Sequence, residues 1–592
     1  MKLIGKQAFI HIFSVFSALK PLATGYTFAL YKYQNMSQTA AVNARHPRGL
    51  YVLFFTEMWE RFGYYLMVGI LLLYLKDPVS HGGFGMDTGL AASIVGTYVA
   101  LIYLTPFIGG LLADRYLGYR KSIYIGGSLM ALGYFLMAIH GSTALLYLSL
   151  SCVIIGNGFF KPNISTLLGN MYNKEELKPK KDTAYNIFYM GINIGAFVCN
   201  FVAAYLRHNY AQGWGLAFSA AGFGMLLSLV FFTIGQKHVK SADVIKPVRE
   251  EDMPISKIVS YVFIPAVAAG ILGWFIPGNI MGSDSNDAFI FACIPIIAFY
   301  FNLWLKAKGF DKKRISTLYI LFGVAILFWN IYNQNATSLT LWADSYTNRE
   351  TPASVEKYLV PFGFMEAVNT QPHDVAVIDE QFRAAADANG KILTHTGTDP
   401  YFQNLPKDKW PAEGQDMKLI STEIYQSINP FWIIVLTPVI VGLFGWLRAR
   451  GKEPSTPSKF AWGTIIAGLS SLVMVIACLS TNIYHNKVSS GWIFASYGVF
   501  TVSELFMSPV GLSLVSKVAP RRLTALMMGG WFITTSLGGK ISGILAGFWD
   551  KFDNKAIFFG ISAVAAIVAG ILLFPLAKKL NEVVVKATAE EE

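Results

Sequence analysis

Charged side chains are scarce in this chain. Asp, Glu, Lys and Arg make up 14% of its 592 residues, where soluble globular proteins carry about 25%, and that shortage removes support for a set of soluble enzyme domains. Cysteine is scarcer still. Cys152, Cys199, Cys293 and Cys478 are the only four, and they lie in apolar stretches without paired spacing or neighbouring histidines, so neither a disulfide framework nor a zinc site is expected. The sequence has no phosphate-binding loop, nucleophile motif or metal-ligand spacing. No enzyme is therefore expected, and no metal or cofactor. The nine histidines fall mostly in loops or at helix ends and are given no role.

Apolar residues fill the chain instead. They account for 54% of it, with 53 glycines and a mean hydropathy of +0.44. Runs long enough to cross a bilayer recur almost from end to end, which indicates a polytopic membrane protein. The formal charge of +12 would suggest a nucleic-acid partner in a soluble protein. Here the basic residues gather in alternate short loops, as orientation in a membrane requires, so the bilayer is the expected partner and nucleic acid is not.

At roughly 20 apolar residues per crossing the chain reads as about fourteen helices, all α. Six fall between Gly49 and Gly235, two between Ile255 and Lys306, and six between Thr317 and Lys578. The central pair, parted by the turn-forming stretch 282–287, suggests two six-helix halves joined by a hairpin. The basic loops are Arg115, Arg120 and Lys121; Lys174, Lys178, Lys180 and Lys181; Lys237, Lys240 and Lys246; Lys312, Lys313 and Arg314; Arg448, Arg450 and Lys452; Arg521 and Arg522. Their alternation places both termini in the cytoplasm.

The expected organisation is an N-terminal cytoplasmic extension at 1–47, a six-helix bundle at 48–235 and a linker with two extra helices at 236–313. The seventh bundle helix follows at 314–344, then a periplasmic insertion at 345–426, the rest of the second bundle at 427–580 and a cytoplasmic tail at 581–592. Residues 1–47 carry no clear cleavage site, and a start assigned too early, with Met36 as the true start, is at least as good a reading as a signal peptide. The insertion holds 12 acidic and 7 basic residues and a helix-like piece from Val377 to Ala388 ending at Gly390. It reads as a surface decoration ahead of a substrate lid.

An ionisable residue in the hydrocarbon region costs at least ~2.5 kcal/mol, so each one should face a cavity or a partner. Glu57, Glu60, Arg61, Tyr64, Tyr65 and Val68 fall along one face of the first helix. An ion cluster that only pins helices together is the plain alternative, but three charges within five residues exceed what packing needs. Two carboxylates beside one arginine leave one acid uncompensated, the kind of group a proton carrier requires. Lys161, with Asn157 and Ser165 a turn to either side, marks the fourth helix, and Glu504 the tenth. A cation in one half and an anion in the other can pair when that side closes and part when it opens. Tyr189 and Asn193, Asn330, Asn333, Gln334 and Thr337, and Asn429 add hydrogen-bonding capacity, though singly such residues are more often interhelical glue. Lys540 reads equally as pathway-lining or as snorkelling outward.

Several stretches then resemble one family. They are Glu57-Met-Trp-Glu60-Arg61-Phe-Gly-Tyr-Tyr65, Gly109-Gly-Leu-Leu-Ala-Asp-Arg-Tyr-Leu-Gly-Tyr-Arg-Lys121, Phe159-Phe-Lys-Pro-Asn163, Phe188-Tyr-Met-Gly-Ile-Asn-Ile-Gly195, Asn429-Pro430 and Ser503-Glu-Leu-Phe-Met-Ser-Pro509. From about residue 48 to the last helix the chain resembles the proton-dependent oligopeptide transporters of the major facilitator superfamily. The resemblance implies the major facilitator fold, two six-helix bundles with a two-helix insertion, and symport of di- and tripeptides with protons by alternating access, in a bacterial inner membrane and as a monomer. It implies proton coupling through Glu57, Glu60, Arg61, Lys161 and Glu504. It implies peptide contacts from Arg61, Tyr64, Tyr65, Lys161, Asn193, Asn429 and Glu504, a side-chain pocket at Trp531, and a cytoplasmic gate motif at Asp114, Arg115, Arg120 and Lys121. The proton gradient would be the driving force, with no cofactor.

Two positions depart from the family pattern. Val68 stands where many members carry an arginine and Asn333 where they carry a carboxylate, so the outer-gate pair is missing as a unit. Loss of both partners of a buried pair can be nearly neutral. Asn333, kept among the substrate-binding positions, is expected to help close the outer side by hydrogen bonding and packing. The Val68→Arg/Asn333→Glu double variant is then expected to leave transport largely intact. Other readings remain: a relative moving nitrate, an amino-acid derivative or a peptide-like drug, or a transport-like sensor that uses 345–426 to bind a partner.

Overall fold

A computed structural model describes residues 45–174, 176–244, 254–351 and 353–590. The expected N-terminal extension lies outside the described residues but for its last three. Fourteen long helices occur among the described residues. The first six are α1 (Arg48–Lys76), α2 (Thr88–Leu112), α3 (Tyr119–Met137), α4 (Thr143–Met171), α5 (Lys181–Asn209) and α6 (Gly213–Gly235). A hairpin of α7 (Ser256–Trp274) and α8 (Asp284–Lys306) follows. The second group is α9 (Gly309–Asn333), α10 (Ile428–Ala449), α11 (Thr456–Leu479), α12 (Ser490–Val518), α13 (Thr524–Gly547) and α14 (Lys555–Ala589).

Eleven of these are long and apolar enough to cross a membrane. The other three are α1, α3 and α13, and the mean hydropathy of α1 is depressed by Glu57, Glu60 and Arg61. Helix starts are fixed by local chemistry, since the first turn leaves backbone N–H groups without partners. Asp87 accepts from the Leu90 amide at the head of α2, Ser142 from Leu145 at α4, and Asn554 from Ala556 at α14.

Close approach of the two halves depends on small residues where α2 meets α13. A Cβ on Gly96 would lie 2.7 Å from the Gly543 Cα, so the helices touch backbone to backbone as membrane helix pairs do. The hairpin docks on both halves. Ser93 of α2 bonds Ser283 and Ser285 at 2.6 and 2.7 Å, while the Tyr300 hydroxyl donates to the Leu526 carbonyl at 2.7 Å. Its outer face exposes Val267, Leu272 and Phe275, the composition of a lipid-facing surface.

The insertion carries five of the six strands among the described residues. β1 (Thr347–Asn348) pairs in parallel with β6 (Val488–Ser489), β2 (Met365–Val368) antiparallel with β5 (Met417–Ile420), and β3 (His373–Ala376) antiparallel with β4 (Thr394–Gly397). A small core of Val368, Tyr401, Phe402, Leu405, Met417 and Leu419 sits beneath them. The helix expected over Val377–Ala388 is not formed. The Asp379 carboxylate accepts from the Gln381 and Arg383 amides at 2.8 and 3.0 Å, and the Ala385 amide donates to the Val377 carbonyl at 2.8 Å. An aspartate that captures local amides this way favours a turn over a helix.

The insertion is also bonded to both halves. It holds the α1–α2 loop through Asp87 N to Gly390 O at 2.9 Å, Ile392 N to Gly85 O at 2.7 Å and Ser80 to Asp374, and it holds the second half through β6 and the Arg383–Asp553 pair.

Within the insertion Arg349 pairs with Glu366, 2.5 Å away. The Arg349 charge brings the Glu366 carboxyl down to about 2 despite burial. A carboxyl lowered on folding stabilises the folded state above its unfolded value near 4.5 and loses that contribution as pH falls through about 2. Protection of the β2 and β5 amides from exchange, taken relative to the intrinsic rate at each pH, should therefore fall on acidification between these values, and Arg349→Met should abolish that pH dependence.

Candidate functional site

The helical rise places Glu57 and Arg61 one turn apart, with Glu60 beside the arginine. All three are buried, at 3%, 2% and 0% exposure. Arg61 Nη2 donates to Glu60 Oε1 at 2.7 Å, and Nε donates to Glu60 Oε2 while lying 3.2 Å from Glu57 Oε1. One guanidinium thus bridges two carboxylates. The second Glu57 oxygen is buried without a hydrogen-bond partner among the described residues.

Glu57 and Arg61 open onto a cavity of about 270 Å³ between the two halves. The first half adds Tyr65, Tyr103, Lys161, Tyr189, Asn193 and Asn200, and the second adds Trp329, Tyr332, Asn335, Asn429, Glu504 and Trp531. Lys161 Nζ lies 4.0 Å from the centre of the Tyr103 ring, and among the described residues no carboxylate comes within 4.0 Å of it. Glu504 accepts from Asn429 Nδ2 at 2.9 Å and from the Tyr189 hydroxyl at 3.4 Å. Basic groups on one wall therefore face an acid on the other, with aromatic rings between.

The POT family model matches residues 120–371 and 415–566. This chain belongs to the POT family. It is 31% identical to an uncharacterized transporter, YclF, of Bacillus subtilis over 89% of this chain and 93% of that one. It is 30% identical to a di-/tripeptide transporter of Lactococcus lactis over 93% of this chain and the whole of the relative. Among solved structures, a mutant peptide transporter POT in complex with alafosfalin superposes with a TM-score of 0.70 at 30% identity, covering 91% of this chain and 96% of that one. A POT family transporter in complex with 5-aminolevulinic acid gives 0.70 at 26%, covering 90% and 97%.

In this POT transporter, Glu57, Arg61, Tyr65, Lys161, Asn193, Asn429, Glu504 and Trp531 line the cavity wall. Glu60, Tyr64 and Asn333 do not. Glu60 commits both oxygens to Arg61 behind the wall. Tyr64, 4% exposed, places its ring 5.0 Å from the Arg61 guanidinium; a step of about 100° from Tyr65 turns it off the cavity face. Asn333 donates to its own helix, at the Trp329 carbonyl 2.7 Å away. Its helix ends there, and the tighter turn Gln334–Ala336 brings Asn335 to the wall instead. Among the described residues Asn333 thus makes no side-chain hydrogen bond outside its own helix, and Lys161 and Glu504 are not paired, in this conformation.

Other polar residues act as glue. Asn157 donates to the Ile102 carbonyl at 2.8 Å, Asn330 and Gln334 both donate to Ser562, and Thr337 meets Ser542 at 3.0 Å. Lys540 fits neither of its two readings. It is 1% exposed, stands off the cavity wall, and donates to Thr97 Oγ1 at 2.5 Å, joining α13 to α2. In the gate motif, Tyr119 donates to Asp114 at 2.6 Å, Asp243 accepts from the Tyr119 and Arg120 amides at 2.8 and 3.3 Å, and Arg120 reaches Gln236. Arg115 is half-buried and Lys121 exposed. Tyr103, Tyr332, Asn335 and Gln426 line the cavity without having been expected there; a phenol in mid-span is the available signal for the first two.

Proposed function

We propose that this transporter is a proton-coupled symporter that imports di- and tripeptides by alternating access across a bacterial inner membrane, both termini cytoplasmic, working as a monomer without a cofactor. The observation that carries the reading is the cavity with Arg61 and Lys161 on one wall and Glu504 on the other. A peptide zwitterion presents a carboxylate and an ammonium at its two ends, so such a cavity orients it and leaves the side chains to the aromatic walls. The volume of about 270 Å³ is near the lower end of small-molecule sites, about 300 Å³, which suits a few residues and not a long chain. The relative named as a di-/tripeptide transporter supports the same substrate. Glu57, with one buried oxygen free of hydrogen bonds among the described residues and Arg61 beside it, supplies a place for the coupled proton.

The complex of a relative with 5-aminolevulinic acid supports a second reading, an amino-acid derivative with the same separated charges. Uptake of labelled dialanine into proteoliposomes, with and without an inward proton gradient, tests the first. Gradient-dependent uptake of dialanine is expected. Uptake of 5-aminolevulinic acid with none of any di- or tripeptide would favour the second, and no gradient-dependent uptake of either would overturn both.

A further inference from the structure

With Val68 and Asn333 uncharged, α1 and α9 cannot form an ion pair at those positions. A buried ion pair does join the halves elsewhere. Arg207, in the last turn of α5, places Nη1 2.6 Å from Oε2 of Glu423, in the turn Thr422–Ser427 that leads into α10. Their side chains are 15% and 0% exposed, although both lie where the helices meet the insertion.

Each partner is anchored in its own half. The Arg207 guanidinium lies 3.9 Å over the Trp214 ring of α6, and Trp214 donates to Asp77 at the end of α1 at 2.7 Å. Glu423 accepts from the Ser421 hydroxyl at 2.6 Å. Ser421 in turn meets His208 Nε2 at 2.7 Å across the halves. Deeper in the same seam, Ser427 donates to the Phe197 carbonyl at 2.8 Å, Asn200 donates to Ser427 at 3.0 Å, and Gln426 donates to the Gly69 carbonyl at 3.1 Å. Asn200 and Gln426 also line the cavity. The seam therefore runs from the cavity wall outward to the ion pair.

We infer that Arg207 and Glu423 are the gating pair that closes the insertion-bearing side of this transporter. The inference rests on the alternating-access reading of the preceding subsection. Opening the cavity on that side requires α1 and α5 to leave residues 421–427. The neutral hydrogen bonds of the seam then exchange for water at little net change, whereas a desolvated ion pair has two distinct states, paired when dry and separately hydrated when open. The pair favours closure reversibly, as a gate requires, and being carried by the last residues of the insertion it gives that segment a part in the transport cycle. The rim contacts Asp87 to Gly390 and Ile392 to Gly85 would part in the same movement.

The test reads accessibility, not transport, so its outcome is separate from the identity of the substrate. In full-length protein with the four native cysteines replaced, Asn335→Cys reports the cavity to a membrane-impermeant maleimide added on the side bearing 345–426. The Arg207→Gln/Glu423→Gln double variant strands no buried charge and should label faster by about fivefold or more, the lower end of coupling between sites. The charge swap Arg207→Glu/Glu423→Arg should return labelling to within about twofold of the parent, a difference of about 0.4 kcal/mol. Unchanged labelling in the neutral pair overturns the inference. So does faster labelling that the swap fails to reverse, or a loss of folding in both variants, which would make the pair a static brace.

Discussion

Vesicles carrying Glu60→Gln should take up peptide only to the external concentration, with or without a proton gradient. The parent protein, moving one proton per peptide, would concentrate substrate about tenfold for each pH unit, because one unit is worth about 1.4 kcal/mol. Glu60 does not touch the cavity, so its effect must act through Arg61. In the parent the guanidinium divides itself between two carboxylates, with two contacts to Glu60 and a 3.2 Å approach to Glu57, and with both carboxylates ionised the trio carries one net negative charge. Replacing the Glu60 carboxylate with a neutral amide removes that excess. Arg61 then belongs to Glu57 alone, the pair is neutral, and no acid remains that needs a proton. Exchange of labelled for unlabelled peptide across the same vesicles should persist, since Lys161 and Glu504 are untouched. A plateau ratio well above one in Glu60→Gln vesicles under an inward gradient would refute the coupling role. Because Glu57 stays to neutralise Arg61, the variant should escape the full cost of about 3–5 kcal/mol for stranding a buried charge, and monodisperse elution of the purified protein checks that.

The same arrangement explains which parts of the site are legible in the amino-acid sequence. Helices and halves can be read because each crossing needs a long apolar run, and charges in such runs are too costly to be incidental, so Glu57, Arg61, Lys161 and Glu504 stand out by position alone. Facing is a finer property. Glu60 and Tyr64 share a broad polar stripe with Glu57 and Tyr65, and only the packing of α1 against its neighbours decides which of them reaches the cavity. Asn333 departs from expectation for a different reason: the helix changes pitch immediately after it, a local event without a strong sequence signal. Arg207 and Glu423 are hidden in another way. They are 216 residues apart, one at a helix end and the other in a polar loop, where charges normally mean solvent. They are buried all the same, Arg207 against the Trp214 ring and Glu423 against Ser421, and Asp379 shows how poorly the insertion follows helical patterning, since one carboxylate closes a turn where the residue pattern indicated a helix.

Lys161→Met should weaken uptake of dialanine by about 10- to 100-fold, chiefly through KM. Arg61 is already engaged by two carboxylates, whereas Lys161 has an aromatic ring at 4.0 Å and no acid partner among the described residues. It is thus the cavity cation most open to a substrate carboxylate. A hydrogen bond to a charged group is worth about 1.5–3 kcal/mol, which sets the expected range. Methionine keeps most of the length and the apolar stem, so the packing around Tyr103 should survive. The substrate offers the control that separates binding from structure. Dialanine amide lacks the carboxylate, so parent and Lys161→Met should transport it at similar, low efficiency. Glu504→Gln should give the mirror result, losing discrimination between dialanine and N-acetyl-dialanine while still distinguishing the acid from the amide. If Lys161→Met lowers uptake of the acid and the amide equally, the lysine shapes the cavity and does not hold the carboxylate. The assignment of the two walls to the two ends of the peptide would then fall with it.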